Sequence, residues 1–117
     1  MRYLSSLPNL TYIHLHSNHL VGSIHIPSNN AFYASLKELT LNSNHLSGTL
    51  APEITTLMRL TTLDLSQNRL GGKIPSTMDK LMFLEKLELA GNYFRGAIPS
   101  SIASNKFLCK FLSIIMF

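Results

Sequence analysis

Asparagine acts as a ruler in this chain. Asn18, Asn44, Asn68 and Asn92 stand 26, 24 and 24 residues apart, each inside the same apolar frame. Upstream lie the pairs Ile13/Leu15, Leu39/Leu41, Leu63/Leu65 and Leu87/Leu89, with Leu10, Leu36, Leu60 and Leu84 three residues before them. Downstream come Leu20, Leu46, Leu70 or Phe94, then Gly22, Gly48, Gly72 or Gly96, then Ile24, Leu50, Ile74 or Ile98. Proline follows directly in two units, at Pro75 and Pro99. Seven positions recurring four times mean stacked supersecondary units, because a fixed period of about 20–50 residues is the mark of a repeat architecture.

The spacing predicts the shape of one unit. Leu-x-Leu alternation has the period of a strand with one face inward, so the residues between the leucines face outward. The asparagine sits where the chain turns. A buried amide there needs partners, since an unsatisfied buried polar group costs about 1–3 kcal/mol, and the backbone groups left open by the turn supply them. A ladder of Asn18, Asn44, Asn68 and Asn92 is therefore expected. Glycine four residues later permits a left-handed backbone. The residue before proline is pushed to an extended conformation before the chain crosses over. Ile54-x-x-Leu57-x-x-Leu60 and Met78-x-x-Leu81-x-x-Leu84 place apolar residues at every third position, the pattern of a short helical or 3₁₀ return. Strand, turn and return make one coil of a solenoid, and each coil buries its apolar side only against its neighbours.

The run Leu60-x-x-Leu63-x-Leu65-x-x-Asn68-x-Leu70-x-Gly72-x-Ile74-Pro75, and its counterpart from Leu84 to Pro99, resemble the leucine-rich repeat in its 24-residue plant extracellular form. The likeness covers about residues 4–104. It implies an α/β solenoid: a right-handed superhelix of about four repeats, with a parallel sheet on the concave side and commonly a second short sheet beyond the Asn turn. The first unit carries two extra residues before Leu36, and both it and the second depart from Gly-x-Ile-Pro. Residues 1–104 are read as the repeats, with the start of a fifth at Ile102 and Leu108. Adding 24 to Leu89 and Asn92 gives Ser113 and Met116, so the pattern is expected to stop mid-repeat, leaving 105–117 as a divergent apolar tail. A short helix capping the last coil is the alternative for that tail. In the resembling family, paired-cysteine caps shield the ends; this sequence has neither, and its one cysteine, Cys109, has no internal partner. The expectation is a fragment of a longer ectodomain, or a truncated copy, of marginal stability.

Composition narrows the functional classes. A chain of 117 residues, 45% hydrophobic and 14% charged, has enough apolar surface to pack but no room for an ordinary kinase or dehydrogenase. No apolar run before Pro8 reads as a secretory signal. Phe107–Phe117 is interrupted by Lys110 and Ser113 and is shorter than the roughly 20 residues that span a bilayer. The formal charge of +4 is spread over strand, turn and return positions, which argues against nucleic acid. It reads as solubility or attraction to an acidic wall polymer or partner.

The outward strand positions form a grid in which the side chains of one column lie about 5 Å apart, the spacing of neighbouring strands. Its candidate ligand-binding residues are Tyr12, His14, His16, Lys37, Glu38, Thr40, Asn42, Thr62, Asp64, Ser66, Lys86 and Glu88. The grid runs from aromatic and weakly basic to acidic. Tyrosine among polar neighbours is typical of recognition surfaces. His14 with His16, and His19 with His45, invite a metal, but no third ligand accompanies either pair, so no metal or cofactor is expected. Gly71-Gly72-Lys73 lacks the glycine spacing and following hydroxyl of a phosphate loop. Asp64, Glu85 and Glu88 would sit on an open sheet without an apolar pocket to raise a pKa. No catalytic signature remains. Asn9-Leu10-Thr11 is a glycosylation sequon.

The resemblance implies a non-catalytic recognition module from an ectodomain like those of plant receptor-like kinases and receptor-like proteins. Such a module binds a peptide or protein on its concave face, with a co-receptor as a further partner, on the extracellular side of the plasma membrane. An alternative is a cell-wall hydrolase inhibitor resembling the polygalacturonase-inhibiting proteins, with Lys37 and Lys86 facing an acidic enzyme. A third is a truncated copy with no independent function.

Overall fold

The computed structural model describes residues 9–27, 33–103 and 111–113. In chain order its strands are β1 (Tyr12–His14), β2 (Val21–Gly22), β3 (Glu38–Thr40), β4 (His45–Thr49), β5 (Thr62–Asp64), β6 (Arg69–Gly72), β7 (Lys86–Glu88), β8 (Tyr93–Phe94) and β9 (Phe111–Ser113). Odd-numbered strands make one five-stranded sheet in the order β1-β3-β5-β7-β9, and even-numbered strands make a second sheet, β2-β4-β6-β8. All pairings are parallel, and Ile13, Leu39, Leu63 and Leu87 lie in one register row. The chain is a solenoid: each of the first four coils contributes one strand to each sheet, and β9 begins a fifth.

Period-2 alternation makes the core. Leu39, Leu41, Leu63, Leu65, Leu87 and Leu89 are buried from the first sheet, and Leu46, Leu70 and Phe94 from the second. Burying each such side chain contributes about 1.5–3 kcal/mol. The period-3 returns close the third side. Pro52–Thr56 and Ser76–Lys80 are 3₁₀ turns and Ser100–Ala103 is a short helix, α1. In them Ile54, Met78 and Ile102 point inward, followed by Leu57, Leu60, Leu81 and Leu84, all buried.

Between the sheets the chain reverses through a left-handed residue one place before each asparagine: Ser17, Ser43, Gln67 and Gly91 have φ of 55–71°. Asn44, Asn68 and Asn92 are buried. Asn68 Nδ2 donates to the carbonyls of Leu65 (3.1 Å), Ser66 (3.2 Å) and, in the preceding coil, Leu41 (2.9 Å), while its Oδ1 accepts from the Leu46 N–H at 3.0 Å. Asn92 and Asn44 repeat the scheme, accepting from the N–H groups of Leu70 and Leu20.

Asn18 departs from the expected buried ladder. It is exposed and donates only within its own coil, to Leu15 O at 2.9 Å and His16 O at 3.1 Å. No earlier coil among the described residues offers it a carbonyl. Leu10, Leu15 and Leu20 of the same coil are only partly buried against the core, for the same reason.

The fifth coil also corrects the count. Leu87 pairs with Leu112 and Glu88 with Ser113, so the step from the fourth coil to the fifth is 25 residues, and Ser113 stands one place beyond the Leu112 row rather than at the position of Leu89. A capping helix is not what residues 111–113 form; 104–110 and 114–117, which hold the rest of that expected tail, lie outside the described residues.

The fourth coil leaves an apolar side chain uncovered: Ile98 is 43% exposed where its equivalent Ile74 is 3% exposed. Val21 is exposed because it faces outward from β2, as Ser47 does one coil later. No helix among the described residues is long and apolar enough to cross a membrane.

Candidate functional site

The outward face of the five-stranded sheet carries a trough of about 420 Å³, lined by His14, His16, Glu38, Thr40, Asn42, Thr62, Asp64 and Lys86. Six of these side chains stand on β1, β3, β5 or β7 next to an inward leucine or isoleucine, and strand alternation sends them the other way; His16 and Asn42 lie just past the ends of β1 and β3, beside Leu15 and Leu41. The parallel register then aligns Tyr12, Glu38, Thr62 and Lys86 in one row and His14, Thr40, Asp64 and Glu88 in the next.

Charges on this face are partly paired with each other. His14 Nε2 lies 2.7 Å from Glu38 Oε2, a diagonal contact between neighbouring coils. Lys86 Nζ is 3.9 Å from Glu88 Oε1. Both pairs are partly exposed, so each holds its side chains in place more than it stabilises the fold. Asp64, which lines the trough, accepts at Oδ1 from the Ser66 N–H at 3.1 Å and from Ser66 Oγ at 2.7 Å, and its other oxygen has no hydrogen bond among the described residues. Thr40 Oγ1 is closed off from solvent and also has no partner among them. Tyr12 is 54% exposed, its ring centroid 6.0 Å from that of His14, and it flanks the trough. Ser66 and Glu88 act through their bonds to Asp64 and Lys86 and do not line it.

Lys37 lies elsewhere. It precedes β3 and lines a separate hollow of about 290 Å³ with Arg59, Thr61 and Phe83. Leu36 is buried immediately before it, so the chain is still turning into the strand and Lys37 projects from the side of the coil. The sequence reading overlooked Arg59 and Phe83. Both follow an exposed methionine between two buried leucines, in Leu57-Met58-Arg59-Leu60 and Leu81-Met82-Phe83-Leu84, and that two-residue gap in the apolar frame was the available signal.

The trough is open and lined by polar and charged side chains. His19 and His45 bring their ring centroids to 5.9 Å. Among the described residues no group of three or more His, Cys, Asp or Glu side chains is arranged to hold a metal. Asn9 of the sequon is exposed, and its carbonyl oxygen accepts from Thr11 Oγ1 at 3.4 Å.

Comparison with known proteins places this architecture. No curated protein matches the chain in sequence. Among solved structures, the BIR2 ectodomain from Arabidopsis thaliana is 35% identical with a TM-score of 0.78, covering 86% of this chain and 52% of its own. A chain of the BIR3–SERK2 complex from Arabidopsis thaliana is 32% identical with a TM-score of 0.84, covering 100% of this chain and 62% of its own. The ectodomain of the Arabidopsis receptor kinase HAESA, solved with an N-terminally extended IDA peptide hormone ligand, is 35% identical with a TM-score of 0.73, covering 88% of this chain and 17% of its own. The chain thus spans about half the length of the BIR2 ectodomain, and far less of HAESA. The family model for the leucine rich repeat matches residues 34–94, the stretch that holds the three buried asparagine rungs Asn44, Asn68 and Asn92, and with it the chain belongs to the leucine-rich repeat family.

Proposed function

We propose that this chain is a non-catalytic recognition module that binds an extended peptide or protein segment along the outward face of its five-stranded sheet. The trough carries the reading: its eight lining side chains come from four adjacent coils and offer acids, cations and neutral hydrogen-bonding groups on strands about 4.8 Å apart. A ligand lying across the coils meets one new strand at each step. The free oxygen of Asp64 and the paired His14 and Glu38 are the groups best placed to accept and donate, because their neighbours already hold them in position.

The similar structures support the same class of function. The HAESA receptor kinase ectodomain was solved with a peptide hormone ligand, and the BIR3–SERK2 structure is a complex of two proteins. By that likeness the parent of this chain works on the extracellular side of the plasma membrane, with a peptide or protein ligand and a co-receptor as partners, and Asn9 carries a glycan. The hydrolase-inhibitor alternative finds no support among these structures, and Lys37, on which it partly relied, lies outside the trough.

The test is a selection of random displayed peptides against the immobilised full chain, followed by calorimetric titration of the selected sequences. Asp64→Ala and Glu38→Ala are expected to weaken binding by about tenfold each, whereas Lys80→Gln on the 3₁₀ return leaves it unchanged. Selected peptides indifferent to both trough substitutions overturn the reading.

A further inference from the structure

The second sheet separates charge in a way the trough does not. All six acids, Glu38, Glu53, Asp64, Asp79, Glu85 and Glu88, belong to the first sheet, its approach or the 3₁₀ returns. Segments 17–27, 43–51, 67–75 and 91–99, which run from each asparagine turn through the second sheet, contain no acid at all. They hold Arg69, Lys73 and Arg95 together with His19, His25 and His45. Spread along the sequence, these residues look scattered; the stacking of coils gathers them on one side.

The geometry makes a strip of them. Leu46, Leu70 and Phe94 point into the core, so Arg69, Tyr93 and Arg95 face out and are exposed, with Lys73 beyond the end of β6. Gly71 pairs with Tyr93, and the Arg95 N–H donates to Gly72 O at 2.8 Å, which sets Arg95 beside Lys73 at the ends of β8 and β6. The Lys73 stem passes 3.6 Å from where a Cβ on Gly96 would stand, an ordinary contact distance that places Lys73 against the next coil. Among the described residues no acid pairs with Arg69, Lys73 or Arg95. Tyr93, 62% exposed, stands among the three cations.

We propose that this face binds a linear carboxylated polysaccharide, with Arg69, Lys73 and Arg95 holding successive carboxylates and Tyr93 lying against a sugar ring. Arg69 and Lys73 stand four residues apart on one coil and Arg95 lies beside Lys73 on the next, so the cations are strung out and not gathered in a cup, which suits a ligand whose charge repeats along a chain. The arginine fork matches a carboxylate in two parallel hydrogen bonds. A single-stranded nucleic acid is a poorer fit, because it needs a succession of aromatic platforms for its bases and this strip has one. The site is on a different sheet from the trough and does not depend on the peptide-binding reading.

The experiment titrates the full chain with polygalacturonate, with its fully methyl-esterified form and with single-stranded DNA, over a range of salt. Two variants of equal charge change are compared, Lys73→Gln/Arg95→Gln on the strip and Arg59→Gln/Lys80→Gln away from it. Polygalacturonate is expected to bind and the ester not. The strip variant should lose about tenfold in affinity and flatten the salt dependence by about one to two in log–log slope, with the second variant changing less than about twofold. All four positions are exposed and Gln keeps most of each stem, so the fold is retained, and the unchanged dichroism spectrum of both variants checks that. Equal loss in the two variants, binding of the ester, or DNA bound as tightly as polygalacturonate overturns the proposal.

Discussion

Asn68 Nδ2 donates to the carbonyl oxygen of Leu41 at 2.9 Å, joining two coils across 27 positions of sequence. The same amide accepts from the Leu46 N–H in the same earlier coil. One side chain thus satisfies a donor and an acceptor that a coil turning this tightly cannot satisfy for itself, and repetition of the arrangement ties each coil to its predecessor.

Replacing Asn68 by Ala strands the buried Leu46 N–H and removes three donations to carbonyls, so a loss of about 3 kcal/mol in unfolding free energy is expected. Asn18→Ala touches only an exposed amide bonded within its own coil and should cost less than about 1 kcal/mol. Urea denaturation of the two variants measures the difference; equal costs would show that the inter-coil bonds contribute nothing.

Gly72 has φ of +75°, and a Cβ there would meet Thr49 Cγ2 at 2.9 Å. Gly22 has φ of +85° with nothing within 4 Å. Backbone strain acts at both positions and steric conflict only at the first, so Gly72→Ala should destabilise by about 2–3 kcal/mol and Gly22→Ala by about 1 kcal/mol. Thermal melts of the pair decide it.

Ile74 and Ile98 occupy the same place in successive coils but differ in cover, 3% against 43% exposed. Ile74→Ala is expected to cost about 2–4 kcal/mol, and Ile98→Ala less than about 1 kcal/mol. The same denaturation series reads both values, and a large loss at Ile98 would mean that something covers it in solution.

Tyr33 stands where the later coils have Leu57 and Leu81, and it is buried. Desolvation raises its phenol above the ordinary value of 10.0. Above that pH the unfolded chain releases a proton that the folded chain still holds, so this residue favours unfolding as pH rises past the ordinary phenol range. Tyr33→Phe should remove that contribution. Stability measured from neutral to alkaline pH should fall less steeply for the variant than for the parent; parallel curves would contradict the assignment.

The coil itself was readable without coordinates. Leu63 and Leu65 must share a face because they are two apart, and Asn68 must find partners because the apolar frame around it excludes water. These are consequences of local period and of the cost of an unpaired buried amide. The trough was partly readable by the same logic, since His14, Glu38, Asp64 and Lys86 alternate with inward residues. Lys37 was misplaced because alternation holds only once the strand has begun, and where it begins depends on how the preceding return packs.

What the amino-acid sequence determined by itself was therefore the repeating unit: its inward leucines, its asparagine turn and its positive-φ glycines. Tertiary structure alone decided how the units meet. Stacking buried Asn44, Asn68 and Asn92 and left Asn18 in solvent, set the last step at 25 residues, and brought Arg69, Lys73 and Arg95 to one acid-free face. The reason is that period within a coil is a property of neighbouring residues, whereas exposure and charge clustering belong to residues some twenty places apart that become neighbours only when one coil rests on the next.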